Sequence, residues 1–399
     1  MSSASTNTMY ADLIARFPTS EALFAYLRSE EGGRLIVRDD HLTADLPLTI
    51  IFYDKKKSDM TNPLVGAFRS VVWNALTNRP VAAGPHRGLA LPVDLSGPFT
   101  VEEFIDGVML NQWWNGEAWQ VSSRTQLDAG GSFYGKRPFA TLFAEAFAAA
   151  GLREADHLDK SVVYSWVLQH PEERIVVSPA YGVPKLWLVE RSTFDAATGN
   201  RRLLTAPLSI DSPLIPHLPT AFDLHTVADI QARVNANGRR LGAGWQGVVV
   251  KTAGGVRYKL RSVQYNAARM LRGNQAKLPY LWLERWSEGK GALTNYLRIF
   301  PEEEHAAMET VTAFKTATQE FHDTYLKVYK QRTLKLGDAP IKYRKLIWEA
   351  RQANVGTYFP SLRDFMNGQD IPRKLWLVNF ERRYPVETPA GAAVETTTD

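Results

Sequence analysis

The chain has 399 residues, 45% of them apolar and 22% charged, with a net charge of +5, an ordinary globular composition with length for two or three domains and a large core. It has no cysteine, which excludes disulfides, thiol catalysis and cysteine-ligated zinc. The polar start, Met1 to Thr8, does not read as a secretory signal, and no apolar run is long enough to span a bilayer. The expectation is an intracellular (cytoplasmic or nuclear) or virion protein with no membrane partner.

Tyr10 to Arg28 carries apolar residues at helical spacing (Leu13, Ile14, Phe17, Leu23, Phe24, Leu27), and Pro18-Thr19-Ser20 splits it into two short helices with Ser20 as an N-cap. Strands are expected at Leu48 to Tyr53, Phe68 to Trp73 and Arg79 to Ala83. Glu102 to Leu110 reads as another, turned by Trp113-Trp114-Asn115-Gly116 and returning over Ala118 to Thr125; Asn-Gly is a strong hairpin signal. Pro138 to Ala150 reads as a helix. Tyr164 to Leu168, Ile175 to Val177 and Leu186 to Val189 read as strands, and Val227 to Ala236 and Asn266 to Leu271 as short helices. Near Phe300 the pattern changes. Met308, Val311, Phe314, Phe321, Tyr325 and Val328 form the stripe of a long amphipathic helix across Pro301 to Leu334, more helix follows at Lys342 to Ala353 and Leu362 to Asn367, and Val386 to Asp399 has too little apolar content to fold. This gives an N-terminal helical segment at 1–44, a β-rich body at 45–299, a helical domain at 300–385 and a disordered tail at 386–399.

Ile230 to Leu283 stands apart. It contains no Asp or Glu, but ten Lys or Arg residues, with Trp245, Tyr258, Tyr265, Tyr280 and Trp282 among them. Its centre, Gln246 to Lys251, then Gly254-Gly255, then Val256 to Ser262, reads as a hairpin. Arg257, Lys259 and Arg261 fall at period two and so share one face. Such a face either blunts a sheet edge or binds an anion, most simply phosphate. The missing acids and interleaved aromatics favour phosphate or polynucleotide. Arg239, Arg240, Arg257, Arg269, Arg272 and Lys277 form the candidate nucleic-acid patch.

Other motifs fail on context. Gly242-Ala243-Gly244-Trp245-Gln246-Gly247 matches G-x-G-x-x-G but precedes a strand, whereas a dinucleotide fingerprint follows one. There is no P-loop, no G-x-S-x-G and no metal-ligand spacing among the eight histidines.

Several segments, in order, resemble the T4-type RNA ligases and their large-DNA-virus relatives in the covalent nucleotidyltransferase superfamily. Phe104-Ile105-Asp106-Gly107 sits where that family has K-x-D/E-G. Trp166-Val167-Leu168-Gln169-His170-Pro171-Glu172-Glu173-Arg174-Ile175-Val176 is similar to F-E-x-x-x-P-x-N-R-I-V. Gln246-Gly247-Val248-Val249-Val250 sits at E-G-x-V-x, Lys259-Leu260-Arg261-Ser262 at K-x-K-S, Phe68 to Val72 at the upstream Arg-bearing strand, and Arg272-Gly273-Asn274 with Tyr280-Leu281 resembles the viral branch. Over about residues 45 to 300 the resemblance implies an α+β fold, a ligase-like nucleotidyltransferase body of antiparallel sheets with flanking helices, plus an all-helical C-terminal domain. It implies nucleotide or phosphate contacts from Arg69, Asp106, Gly107, Trp166, Lys251, Lys259 and Arg261. For Asp106-Gly107 a strand-end turn, and for Trp166 a core position, stand as alternatives; Arg174 reads as a brace of the fold.

The departures fall on the chemistry. The family's lysine nucleophile is Phe104, whose ring has no lone pair, and no lysine lies between Lys57 and Lys136. Two family acids are Val167 and Gln246, and magnesium wants carboxylate and water oxygens. The expectation is a degenerate ligase-like protein that binds nucleic acid, RNA first, or a nucleotide, with Lys342, Arg344, Lys345 and Arg351 of the helical domain adding contacts. ATP and magnesium are implied only if ligase activity survives. The alternatives are a ligase with another nucleophile, such as Lys251 or Lys259, and a structural or virion protein reusing the fold in an assembly.

Overall fold

A computed structural model describes residues 6–39, 47–252, 255–289 and 291–384. Gly254 of the expected turn, and the tail expected after residue 385, lie outside them. The chain divides into two compact units, Met1–Gly273 and Asn274–Asp399.

The first unit holds three sheets. The six-stranded one has the spatial order Thr6–Asn7, Arg201–Leu203, Lys185–Phe194, Val163–Gln169, Val108–Trp114, Trp119–Ser122, all antiparallel. Val163–Gln169 lies mid-sheet, and six of its seven residues are buried because both of its faces are covered. The helix Phe139–Ala149 packs Leu142, Phe143, Ala146 and Phe147 onto Leu110, Trp166, Leu168 and Leu188 on one face. On the other, Trp113 and Val163 meet Leu48, Ile50, Phe52 and Val72 of a four-stranded sheet, Ile36–Asp39, Leu48–Phe52, Val71–Asn74, Arg79–Ala83. The helices Met9–Arg16 and Ser20–Arg28 cover the far side of that sheet through Tyr10, Leu13, Leu23, Phe24 and Leu27. Thr19, not Ser20, caps the second helix by accepting from the Ala22 amide (3.3 Å), while the Ser20 hydroxyl donates to the Ala75 carbonyl (2.8 Å).

The third sheet has the order Ala221–Phe222, Phe99–Glu103, Gly247–Thr252, Arg257–Arg261, Leu89–Ala90. The expected hairpin is its centre. The strand expected over Glu102 to Leu110 is instead two: Phe99–Glu103 in this sheet and Val108–Trp114 in the six-stranded one. The chain crosses between them over Phe104 to Gly107. Gly107 makes the crossing possible, because at φ +149° a Cβ there would sit 2.4 Å from the Leu168 carbonyl. Ile175 to Val177 is not a strand; the Val176 and Val177 amides turn to a carboxylate rather than to a neighbouring strand.

The second unit is helical: Leu278–Ser287, Ala292–Ile299, Glu304–Tyr329, Ile341–Gln352, Phe359–Asn367, Ile371–Val378 and Phe380–Arg383. The stripe of the long helix buries Val311, Phe314, Phe321 and Tyr325, but Met308 is 45% exposed. Two of these helices precede residue 300; their short periodic runs are interrupted by Gly289 and Gly291, which hides them in the pattern.

Candidate anion-binding cleft

Strand register sorts the basic hairpin into two faces. Val248, Val250, Tyr258 and Leu260 pack with Val101 against Ile230, Val234 and Trp245, fixing the helix Val227–Leu241 behind the sheet. The opposite face aligns Gly247 with Arg261, Val249 with Lys259 and Lys251 with Arg257, and carries Glu102 beside Val249. Gly247 permits this pairing at its root: at φ +144° a Cβ would stand 2.0 Å from the Leu260 carbonyl.

That charged face closes a cavity of about 150 Å³ against the six-stranded sheet. Its walls bring together Arg69, Glu102, Glu103, Phe104, Asp106, Gly107, Val167, Gln246, Arg257, Arg261 and Arg269. Phe104, Val167 and Gln246, the three departures from the ligase pattern, thus meet in one place. The Arg261 guanidinium lies over the Phe104 ring at 5.2 Å and the Tyr265 ring at 5.7 Å, a cation–π pairing that holds its plane.

Asp106 is a clamp. Its Oδ2 accepts from the Val176 and Val177 amides, both at 2.9 Å, and its Oδ1 from the Tyr265 hydroxyl at 2.7 Å. Burial and this carboxylate push the Tyr265 hydroxyl far above its ordinary pKa. With three donors on it, Asp106 ties the sheet crossing, the Arg174 to Val177 segment and the helix Val263–Arg272 together rather than reaching for a ligand.

Other expected residues lie elsewhere. Trp166 is 0% exposed; its indole donates to Gln112 Oε1 (3.1 Å) and its ring is packed by Phe143, Phe147 and Tyr164. It has no face for a base, because the covering helix fills that side. Lys251 donates to the Val189 carbonyl (2.8 Å) and pairs with Glu102 (2.6 Å). It lines a larger cavity of about 620 Å³, where Glu190 pairs with Arg201 (2.8 Å) and Arg191 donates to the Ala206 carbonyl (2.7 Å), while Arg257 also faces it. Arg272 is buried, donates to the Arg174 carbonyl (3.0 Å) and stacks on Tyr134. Arg239 and Arg240 are exposed on their helix, and Lys277 belongs to the second unit. There, Lys342 pairs with Glu320 (2.8 Å) and Glu381 (3.0 Å), Arg344 donates to the Ala339 carbonyl (2.6 Å), Lys345 lies 4.0 Å from Glu349 and Arg351 sits over Tyr329.

Lys259 stands beside the cavity in a cluster of cations. Burial, then Arg261, Arg87, Lys55 and Arg69, bring its amine down to about 8. Lys55 is lowered in the same way, by burial and by Arg124, Arg87, Arg261 and Arg269. Neither amine has a hydrogen bond or ion pair among the described residues. Lys55, Arg87 and Arg124 escaped the sequence reading because they lie far from the basic stretch along the chain. The run Lys55-Lys56-Lys57 and an Arg at the end of the return strand were the only signals.

The groups that ATP and magnesium would need do not fit this site. Glu102 is taken by Lys251, Asp106 is saturated, burial raises the Glu103 carboxyl, and Val167 and Gln246 bring no charge. Among the described residues no group of three or more His, Asp or Glu side chains is arranged to hold a metal ion. A cavity of about 150 Å³ is also below the roughly 300 Å³ at which small-molecule sites begin.

The chain is similar to solved ATP-dependent RNA ligases. An archaeal ATP-dependent RNA ligase matches in one form at 14% identity and a TM-score of 0.40, over 78% of this chain and 83% of that one. A second form matches at 13% and 0.37, over 90% and 88%. Naegleria gruberi RNA ligase with pyrophosphate matches at 13% and 0.31, over 64% and 82%. No family model matches the chain, and no curated protein does. At such TM-scores no residue's role passes from those ligases to this chain.

Among the described residues no helix is long and apolar enough to cross a membrane.

Proposed function

We propose that this protein is a degenerate relative of the T4-type, viral-branch RNA ligases, which binds single-stranded nucleic acid, RNA first, through the cation cluster and forms no enzyme–AMP intermediate. One observation carries the reading. Lys55 and Lys259 are held below their ordinary pKa by burial and by arginines, with no carboxylate among the causes. Cations packed together at that cost are stabilised by a polyanion laid across them. Phe104 in place of the expected lysine supports the second half of the proposal, since the transfer chemistry has no amine there to begin it.

The test is binding of a fluorescent single-stranded RNA and of the matching DNA across a salt series. Log affinity should fall linearly with log salt, with a slope of about −0.7 per phosphate contacted. A flat response would remove the reading.

One observation favours an alternative. An amine brought down to about 8 is partly neutral near physiological pH and could act as a nucleophile. Incubation with labelled ATP and magnesium decides it: covalent label that survives denaturation and disappears in Lys259→Ala would establish Lys259 as the nucleophile.

A further inference from the structure

The larger cavity lies at the other end of the hairpin from Phe104, Gln246 and Arg261. The pair Lys251 and Arg257 lines it, about 13 Å along the extended strands from the pair Gly247 and Arg261. At about 620 Å³ it falls within the roughly 300–1,000 Å³ of small-molecule sites. One wall is apolar, formed by Phe99, Leu204, Pro207, Leu208, Leu218 and Pro219. Leu218 is 36% exposed, so covering this wall removes apolar surface from water. Five charged side chains line the same space, and four are engaged. Glu102 holds Lys251 at 2.6 Å, Glu190 holds Arg201 at 2.8 Å, and Arg191 donates to the Ala206 carbonyl at 2.7 Å. Arg257 is the fifth. It is only 8% exposed, its Nε is shut away from solvent without an acceptor, and it makes no hydrogen bond or ion pair among the described residues. Glu190 and Glu102 act on it through space without touching it. A buried charged donor left without an acceptor costs more than a neutral one, and a ligand that supplies the acceptor removes that cost.

Charge and shape name the ligand. Glu102 and Glu190 in the walls repel a second negative charge, while Arg257 is a buried cation without an anion. One carboxylate matches it, because the planar guanidinium takes both carboxylate oxygens side by side. The apolar wall calls for a hydrocarbon or aromatic body behind that carboxylate. A sugar–phosphate chain offers the opposite, a charge at every step and polar sugars between. Arg257 also borders the smaller cavity, but only the larger one has room for such a body. A space of about 150 Å³ takes one benzene; by that measure about 620 Å³ accommodates a fused ring pair or a chain of roughly eight to ten carbons. We propose that the larger cavity binds a small amphipathic monocarboxylic acid, with its carboxylate on Arg257 and its apolar body against Phe99, Leu208 and Leu218. The acid is ionised at neutral pH, so it enters as the anion that Arg257 lacks. This site goes beyond the nucleic-acid reading and does not depend on it.

The experiment titrates the full chain, by calorimetry, with octanoate and with 2-naphthoate. Each is set beside its neutral counterpart of equal size, octanamide and 2-naphthamide, and acetate serves as the carboxylate without a body. At least one acid should bind about ten-fold tighter than its amide, and which acid it is tells a chain from a ring. Acetate should give no heat at the same concentrations, because it covers none of the apolar wall. Arg257→Gln should weaken the acid to the level of its amide. Leu218→Glu, on the exposed part of the wall, should weaken it by about ten-fold; if Arg257→Gln fails a melting check, this variant carries the comparison. Lys259→Met, at the other cavity, should leave the acid within about two-fold of its wild-type affinity. No binding of either acid at millimolar concentration would overturn the proposal, as would equal affinity for acid and amide. An affinity that survives Leu218→Glu and Arg257→Gln but falls in Lys259→Met would overturn it by placing the acid among the cations of the hairpin instead.

Discussion

At the scale of single residues, Phe104 and Asp106 illustrate how a motif position and its physical role separate. Under the proposed reading, restoring an amine at Phe104 is not expected to give adenylylation, because the cavity is small and Val167 and Gln246 bring no carboxylate. Phe104→Lys should therefore give no covalent adenylate that survives denaturation at neutral or alkaline pH on incubation with labelled ATP and magnesium; a labelled lysine would show that the amine at this position is enough for adenylylation. Asp106 reads in sequence as either a ligand residue, by resemblance, or part of a strand-end turn, and its three acceptor contacts are all internal. Asp106→Asn replaces a charged acceptor with an amide whose N–H groups confront other donors. It should destabilise the protein by about 2–3 kcal/mol, seen as a melting point lower by about 2–4 °C per kcal/mol. Tyr265→Phe removes one of the three bonds and should cost about half as much. A wild-type melting point for Asp106→Asn would show that the clamp is not needed.

At the scale of elements, the basic hairpin was legible because its two faces alternate in chemistry along the chain, with β-branched and aromatic residues on one side and cations on the other. The helices were legible wherever a stripe ran uninterrupted, as from Val311 to Tyr325. What was not legible depends on contacts distant in sequence. The division of Glu102 to Leu110 between two sheets is set by the approach of Gly107 to Leu168. The loss of Ile175 to Val177 from any sheet follows from Asp106 capturing two amides. Trp166 could not be told from a stacking residue until the helix Phe139–Ala149 was seen to cover it. For the candidate site, the charged strand marked one side of the cation cluster, but Lys55, Arg87 and Arg124 join it only through folding. Gly247 tests the hairpin itself. A methyl group there meets the Leu260 carbonyl at 2.0 Å in a left-handed backbone region. Gly247→Ala should cost at least about 1–3 kcal/mol and displace Arg261, so that salt-sensitive RNA binding weakens along with stability. Unchanged affinity in a folded Gly247→Ala protein would mean that Arg261 is not held by this register.

At the scale of the whole molecule, a net charge of only +5 conceals a local cluster of cations, and the proposed nucleic-acid binding should therefore depend on pH. Ordinary lysines, with pKa near 10.4, stay charged between about pH 7 and pH 9. Lys259, at about 8, does not, and Lys55 is shifted in the same direction. Bound phosphates favour the charged amine, so the complex takes up a proton that the free protein has lost above about pH 8. Affinity for RNA at constant ionic strength should therefore fall as pH rises from about 7 to 9, by up to about one decade per pH unit for one proton taken up. The free protein should respond in the opposite sense. Its folded-state pKa lies below the unfolded value, so between about 8 and 10.4 the unfolded chain binds more protons and stability rises with pH. Lys259→Met should flatten both trends. Affinity independent of pH across this window would show that the amine is not lowered in the free protein, or that no phosphate lies near it. A pH response of affinity without the opposing response of the melting point would place the titrating group on the nucleic acid instead.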